Sequence, residues 1–273
     1  MKYDYDYDYD YDVDDLNRVY SSLNLKKQDV IYITGNLASL GKFQGDKILD
    51  SHYAAIRKAV GGVSGTIAFP THSFNLVKSK KPFIPNKTVS ETGALTECLR
   101  KKKGSVRQLH PYSSTTAIGK HANYICSNNS PHVYGPDSPF DRLIKLNAKF
   151  IGFGINHGIT ASQVHHAEFM MNVPYRYTKE FFHTIKTKKG FAKKFFYMHV
   201  IYKNLTNWER DRNKVFFKKF LKKNKIVFKK IGKSYIYIYS LTKFYNTSIE
   251  CLKKDIYCWL PKKPKARDKR WVK

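Results

Sequence analysis

Ser162, His165 and Glu168 stand three residues apart in ITASQVHHAEF, Ile159 to Phe169. Residues at i and i+3 are neighbours on one helical surface. Thr160 suits a helix cap, so the spacing predicts a helix from Ala161 to Met170 that presents these side chains together. A glutamate that accepts a hydrogen bond from one imidazole nitrogen fixes the tautomer and raises the basicity of the other. That is the chemistry of a general base working near neutral pH. The same spacing also suits a purely structural His–Glu pair. A metal site fits poorly, because His165 and His166 diverge by about 100° around a helix and HHAE lacks the HExxH spacing.

A second constellation is RQLHPYSSTTAIGKHA, Arg107 to Ala122. Its hydroxyl residues, Ser113 to Thr116, read as a turn ahead of Gly119 and a helix, a place where backbone N–H groups can meet phosphate or carbonyl oxygens. An ordinary Ser/Thr-rich turn gives the same pattern. In a third segment, Tyr134 to Gly154, GPDSP predicts a turn with Asp137 or Ser138 capping a helix through Leu143. The chain contains no GxxxxGK[ST], GxGxxG or GxSxG. P-loop kinases, simple dinucleotide-binding dehydrogenases and nucleophile-elbow hydrolases lose their support accordingly.

The elements that must position these residues alternate along the chain. A helix is expected over Val13 to Leu23, and another over Lys47 to Val60. Short apolar runs predict strands at Asp29–Thr34, Thr66–Phe69 with a stop at Pro70, Lys149–Gly154 and Ser234–Ser240. Strands alternating with helices indicate a layered α/β domain, whose ligands gather in loops beyond the strand ends, here 34–43, 70–75 and 155–162. The Tyr-Asp repeat of residues 3–12 is low in complexity. Residues 1–15 are therefore expected to be a disordered acidic tail, and deletion of 2–12 to leave activity intact. Residues 16–260 form one domain and 261–273 a basic tail.

The chain has 273 residues, 50 Lys+Arg against 21 Asp+Glu, and a formal charge of +29. Residues 174–273 carry +23 of it, so the excess belongs to the C-terminal hundred residues. Lysines interleaved with Phe and Tyr over 186–197 and 216–230 could contact phosphates beside stacking platforms. An anionic membrane surface is another partner of that chemistry, and plain solvated lysines are the simplest account. No nucleic-acid module accompanies the charge, and nucleic acid is not the expected partner. No run approaches the ~18 apolar residues of a membrane span. The acidic N-terminus does not resemble a secretory signal, so the expected setting is the cytoplasm. Cys98, Cys126, Cys251 and Cys258 include no CxxC pair and read as structural.

Taken in order, DVIYITGNLASLGKF, GTIAFPTHSF, SETGALTECLR, RQLHPYSSTTAIGKHA, YGPDSPFDRLIKLNAKFIGFG and ASQVHHAEF resemble the aminoglycoside 3-N-acetyltransferase family over most of residues 16–260. The resemblance implies a three-layer α/β/α domain with a central mixed sheet, distinct from GCN5-related acetyltransferases. It implies acetyl transfer from acetyl-CoA, as co-substrate and without a metal, to an amine of an amino sugar. Carried over by position, His165 is the base or amine-polarising group, Glu168 orients it, and Ser162 replaces the threonine of the family's TxxHxxE. His110 and Ser114 fall on HPxxS beside the coenzyme. Asn36, Leu37, Ser39, Leu40 and Gly41 fall on the loop that contacts the CoA pantetheine and phosphates, with Gly119 nearby. Thr34, Gly35 and Asn36 replace the family's HSS, which leaves only backbone donors to stabilise an oxyanion near Asn36 or Ser114. The basic stretch 181–230 matches poorly, and acceptor specificity resides in such variable regions, so the family's antibiotic-resistance role does not transfer with the scaffold. The expected partners are acetyl-CoA and a small amine acceptor, with a homodimer left open. The scarcity of carboxylates tilts the acceptor towards an anionic or neutral amino sugar. A non-catalytic basic binding protein and a degenerate CoA-binding scaffold are the rival readings.

Overall fold

Val30 and Tyr32 face one hydrophobic layer while Ile31 and Ile33 face the other, so DVIYIT must be apolar on both sides of a pleated strand. The computed structural model describes residues 9–127, 130–155, 162–205, 214–265 and 273. Seven of the described strands form one mixed sheet: β1 (Val30–Gly35), β2 (Thr66–His72), β3 (Ser105–Arg107), β4 (Ser113–Gly119), β5 (Lys149–Phe153), β8 (Val227–Ile231) and β9 (Ser234–Ser240), ordered β3-β4-β2-β1-β5-β9-β8. β1 runs parallel to β2 and β5, and the remaining pairs are antiparallel.

α1 (Val13–Ser21), α2 (Ile48–Ala59) and α3 (Ala94–Arg100) cover one face through Leu16, Ile56 and Leu99. The other face carries α4 (Ala122–Cys126), α5 (Pro139–Lys145), α6 (Ser162–Met170), α7 (Lys214–Lys223) and α8 (Leu241–Lys254), packed through Ile125, Leu143, Ala167, Phe220 and Phe244. The result is the expected three-layer α/β/α sandwich. Beside it β6 (Arg176–Thr187) and β7 (Gly190–Ile201) pair as a separate hairpin. Its inner side puts Ile185 and Phe196 onto Leu76, Phe83 and Tyr112. No strand was expected here, because lysines interleaved with Phe and Tyr on both faces obscure the period-2 pattern.

Three expectations are corrected. The strand at Thr66 does not stop at Pro70 but continues to His72. β1 leaves β2 after Ala68, and the Pro70 carbonyl turns away from β4 to accept a bond from Thr92 Oγ1 at 2.7 Å. The missing proline N–H therefore costs no ladder bond. Ser113–Thr116 form not a turn but the buried strand β4 between β3 and β2.

The acidic tail joins the fold before residue 15. Asp10 Oδ2 accepts a bond from the Lys42 N–H at 2.7 Å, Asp12 caps α1 in a capping box, and Tyr11 is 3% exposed. The Tyr11 hydroxyl lies 3.3 Å from His52 Nε2. Deleting residues 2–12 is thus expected to destabilise the protein by about 3–5 kcal/mol, the cost of losing a buried aromatic ring and a cap. Deleting only 2–8 retains both. Urea unfolding of the two truncations checks this, and equal midpoints would contradict it.

Candidate active site

Helix α6 begins at Ser162 and places His165 and Glu168 one turn apart. The expected cap Thr160 and first residue Ala161 lie outside the described residues. His165 Nδ1 donates to Glu168 Oε2 at 2.6 Å, so the contact that the spacing predicted forms. The same carboxylate accepts a hydrogen bond from the Tyr175 hydroxyl on Oε1 at 2.9 Å and forms an ion pair with the Arg176 guanidinium, whose Nε lies 2.7 Å from Oε2. Burial alone would raise the Glu168 pKa, but Arg176 and then His165 outweigh it and hold the carboxyl at about 2. Glu168 is therefore an anion at every working pH, and the Nδ1 proton stays on the imidazole. The side chains of Glu168 and Arg176 are almost fully buried, while that of His165 keeps 18% of its surface open. A buried anion thus fixes the orientation of a partly exposed imidazole.

Neighbouring elements close around this pair. The ring of Tyr134, from the turn before α5, meets the His165 ring edge-on at 5.7 Å. Ser138 caps α5, its hydroxyl accepting from the Asp141 N–H at 3.4 Å. His199 of β7 lies against Phe169 at 5.3 Å, and its carbonyl accepts from Arg176 Nη1 at 3.3 Å. Tyr175, Arg176 and His199 carried no signal in the sequence. Arg176 opens β6 and His199 lies on β7, whose pairing no local pattern ties to α6, while Tyr175 just precedes β6. Tyr134 lay in a quoted segment that read only as a turn.

At the carboxyl ends of β1 and β5 lies a cleft of about 190 Å³ lined by Gly35, Asn36, Leu37, Thr92, Gly93, Thr96 and Phe153, among others. Of the proposed coenzyme loop, Asn36 and Leu37 line it. Asn36 Oδ1 caps the short 3-10 turn by accepting from Ala38 N–H at 3.1 Å. Its own N–H is spent on the Phe153 carbonyl at 2.9 Å, which removes it from the oxyanion donors. Ser39 follows in the same turn, its N–H bonded to the Asn36 carbonyl. Leu40 is instead a core residue. Gly41 has φ +95°, and a Cβ there would fall 2.2 Å from Asp10 Oδ2, so this glycine makes room for the N-terminal segment. Thr92, Gly93 and Thr96 belong to SETGALTECLR, which carried the resemblance but no assigned role.

Of the remaining residues expected beside the coenzyme, two are buried in the domain and one lies at the far end of the sheet. His110 is fully buried. Its Nδ1 accepts from the Ser113 N–H at 3.1 Å, and its Nε2 lies 3.4 Å from the Tyr197 carbonyl. Ser114 is also fully buried, donating to the Thr71 carbonyl at 2.7 Å and accepting from Arg107 Nε at 2.9 Å. Both are structural ties beneath the site. Gly119 pairs with Thr66, the first residue of β2, at the sheet end opposite the cleft. A Cβ at its φ of +122° would meet the Gly65 carbonyl oxygen at 2.0 Å, so close backbone packing explains that glycine.

Burial pushes up the pKa of all four thiols, that of Cys258 to about 12. None is a thiolate nucleophile near neutral pH. Among the described residues no group of three or more His, Cys, Asp or Glu is placed to hold a metal ion. No helix among them is long and apolar enough to cross a membrane.

Comparison with known proteins supplies the family. A family model described as aminoglycoside 3-N-acetyltransferase matches residues 33–253. Aminoglycoside N(3)-acetyltransferase VII of Streptomyces paromomycinus is 35% identical over 86 residues, 30% of this chain and 28% of that protein. The matched stretch thus spans less than a third of that relative's length. Among solved structures, AAC-IIIb in a binary complex with CoASH superposes with a TM-score of 0.74 at 19% identity, over 92% of this chain and 98% of the other. AAC-VIa bound to sisomicin gives 0.76 at 17% identity, over 89% and 98%. At such identities these two structures speak for the fold.

Proposed function

Because the chain belongs to the aminoglycoside 3-N-acetyltransferase family, we propose that it transfers acetyl from acetyl-CoA to an amine of an amino sugar, with His165 as general base. The observation that carries this reading is the 2.6 Å His165–Glu168 bond, held from behind by Arg176 and Tyr175. Nδ1 keeps its proton, so Nε2 offers its lone pair. It takes a proton from the acceptor nitrogen as that nitrogen attacks the thioester carbonyl. The C–N bond forms, the C–S bond breaks, and the departing thiolate recovers a proton from the imidazolium. The raised thiol pKa values support direct attack without a covalent enzyme intermediate. The cleft at Gly35 and Thr92 suits a narrow, extended arm such as pantetheine. Its volume falls below the roughly 300–1,000 Å³ of pockets that enclose larger ligands, so the nucleotide end would lie on the surface.

A cationic aminoglycoside would want free carboxylates near His165. Glu168 is neutralised by Arg176, and Asp137 and Asp141 are engaged by Arg142 and Lys145. This favours a neutral or anionic amino-sugar acceptor. Calorimetry with acetyl-CoA at two salt concentrations tests the cofactor, and saturable 1:1 binding that survives moderate salt is expected. Acetylation assays with kanamycin-type and sugar-nucleotide acceptors test the rest, and turnover of the cationic drugs alone would refute the acceptor preference.

Arg176 supplies a further prediction. It shares Glu168 Oε2 with His165, so its charge moderates how strongly the carboxylate holds the imidazole proton. In Arg176→Gln the uncompensated anion favours the imidazolium, and the acidic limb of the kcat/KM profile should move to higher pH. Arg176→Lys should restore it. A uniform loss of rate with an unmoved limb would assign Arg176 a merely structural role.

A further inference from the structure

Among the described residues no element covers the outer face of the β6–β7 hairpin over its distal half. The cross-strand pairs Phe182–Phe195 and Lys186–Phe191 lie on one side of the ladder. Phe182, Phe191 and Phe195 are 55%, 58% and 51% exposed. Phe182 and Phe195 pack together with ring centroids 4.8 Å apart. The Lys186 ammonium sits 4.7 Å over Phe191, and Lys193 lies 5.9 Å from the Phe182 ring. Lys188 and Lys189 occupy the turn, and Glu180 is the one acidic residue between Lys179 and Tyr197. Three large aromatic rings held in water by a tip this basic lie outside what the fold needs, because over this distal half the opposite face, through Ile185, is the one that packs onto the core.

We propose that this face docks the protein onto an anionic phospholipid surface, with the phenylalanines entering the headgroup boundary and Lys186, Lys188, Lys189 and Lys193 meeting lipid phosphates. Apolar area and adjacent cations acting together are what interfacial anchoring requires. Single-stranded nucleic acid is the competing polyanion. It calls for aromatic faces open to stacking bases, and the faces of Phe191 and Phe182 already carry ammonium groups. The inference is independent of the acetyl-transfer reaction.

The test is co-sedimentation of the full chain with phosphatidylcholine vesicles and with phosphatidylcholine–phosphatidylglycerol vesicles at near-physiological salt. The wild-type protein should bind only the anionic vesicles. The F182S/F191S/F195S variant, with every lysine retained, should bind them at least about tenfold more weakly, and K186E/K193E should be weakened comparably. Thermal melts confirm that both variants fold. Wild-type affinity in the phenylalanine variant would reduce the effect to general charge and overturn the proposal. So would failure of the wild type to bind, or binding to poly(U) that depends on the phenylalanines while vesicle binding does not.

Discussion

Replacing His165 with alanine is expected to lower turnover by about 10²–10⁴-fold, the range that a positioned general base contributes, with little change in acetyl-CoA affinity. The side chain is partly open while Glu168, Arg176 and Tyr175 behind it are buried. Its loss therefore removes the proton acceptor and leaves most of the packing in place. Glu168→Gln is the companion experiment. An amide can present its N–H to Nδ1 and stabilise the opposite tautomer, which turns the reactive nitrogen from acceptor to donor. It also leaves Arg176 buried without its anion, and breaking a buried pair in this way costs about 3–5 kcal/mol. Its rate is to be read below its own lowered melting temperature. A rate unchanged in His165→Ala would remove this residue from the mechanism.

The second large effect is acid unfolding that begins above the carboxylate range. Burial depresses the pKa of His52, His72 and His166 to about 4, and of His110 and His199 to about 3. An imidazole in the unfolded chain titrates near 6.5. Below that pH the unfolded chain takes up protons that the folded chain refuses, so stability is complete above about 6.5 and falls as pH drops towards 4. Each unit of depression is worth about 1.4 kcal/mol. Even half of the combined effect is on the order of 10 kcal/mol, comparable to the ~5–15 kcal/mol of a whole domain. Glu168 and Glu97, both held at about 2, add their loss only between about 4.5 and 2. Thermal melting across pH should show a steep fall in Tm below pH 6.5. A Tm constant from about pH 7 to about pH 5 would contradict neutral burial of these histidines.

The sequence by itself determined the layers, several elements and the contact between His165 and Glu168. Val30 to Ile33 are apolar on both faces, which dictates a strand sandwiched between two helical layers. SYIYIYS delimits β9 at Ser234 and Ser240, as found. The three-residue spacing of His165 and Glu168 brings their side chains together wherever that stretch is helical. These are short-range properties, set by 2.0- and 3.6-residue periods and readable in a single window.

Tertiary structure alone decided depth, sheet end and counter-charge. His110 and Ser114 have the right chemistry for a ligand site, yet both are buried, His110 just ahead of β4 and Ser114 within it, with their polar atoms bonded to the chain. Gly119 stands at the wrong end because antiparallel register sets it opposite Thr66. His199 comes to Phe169, beside the His165–Glu168 pair, from the hairpin strand β7, which sequence analysis did not predict. Tyr11 left a repetitive tail for the core because α1 and α2 offered it an apolar site beside His52. Each outcome depends on contacts between distant segments, whose register and burial are fixed when the layers pack and not by the residues next to them in the chain.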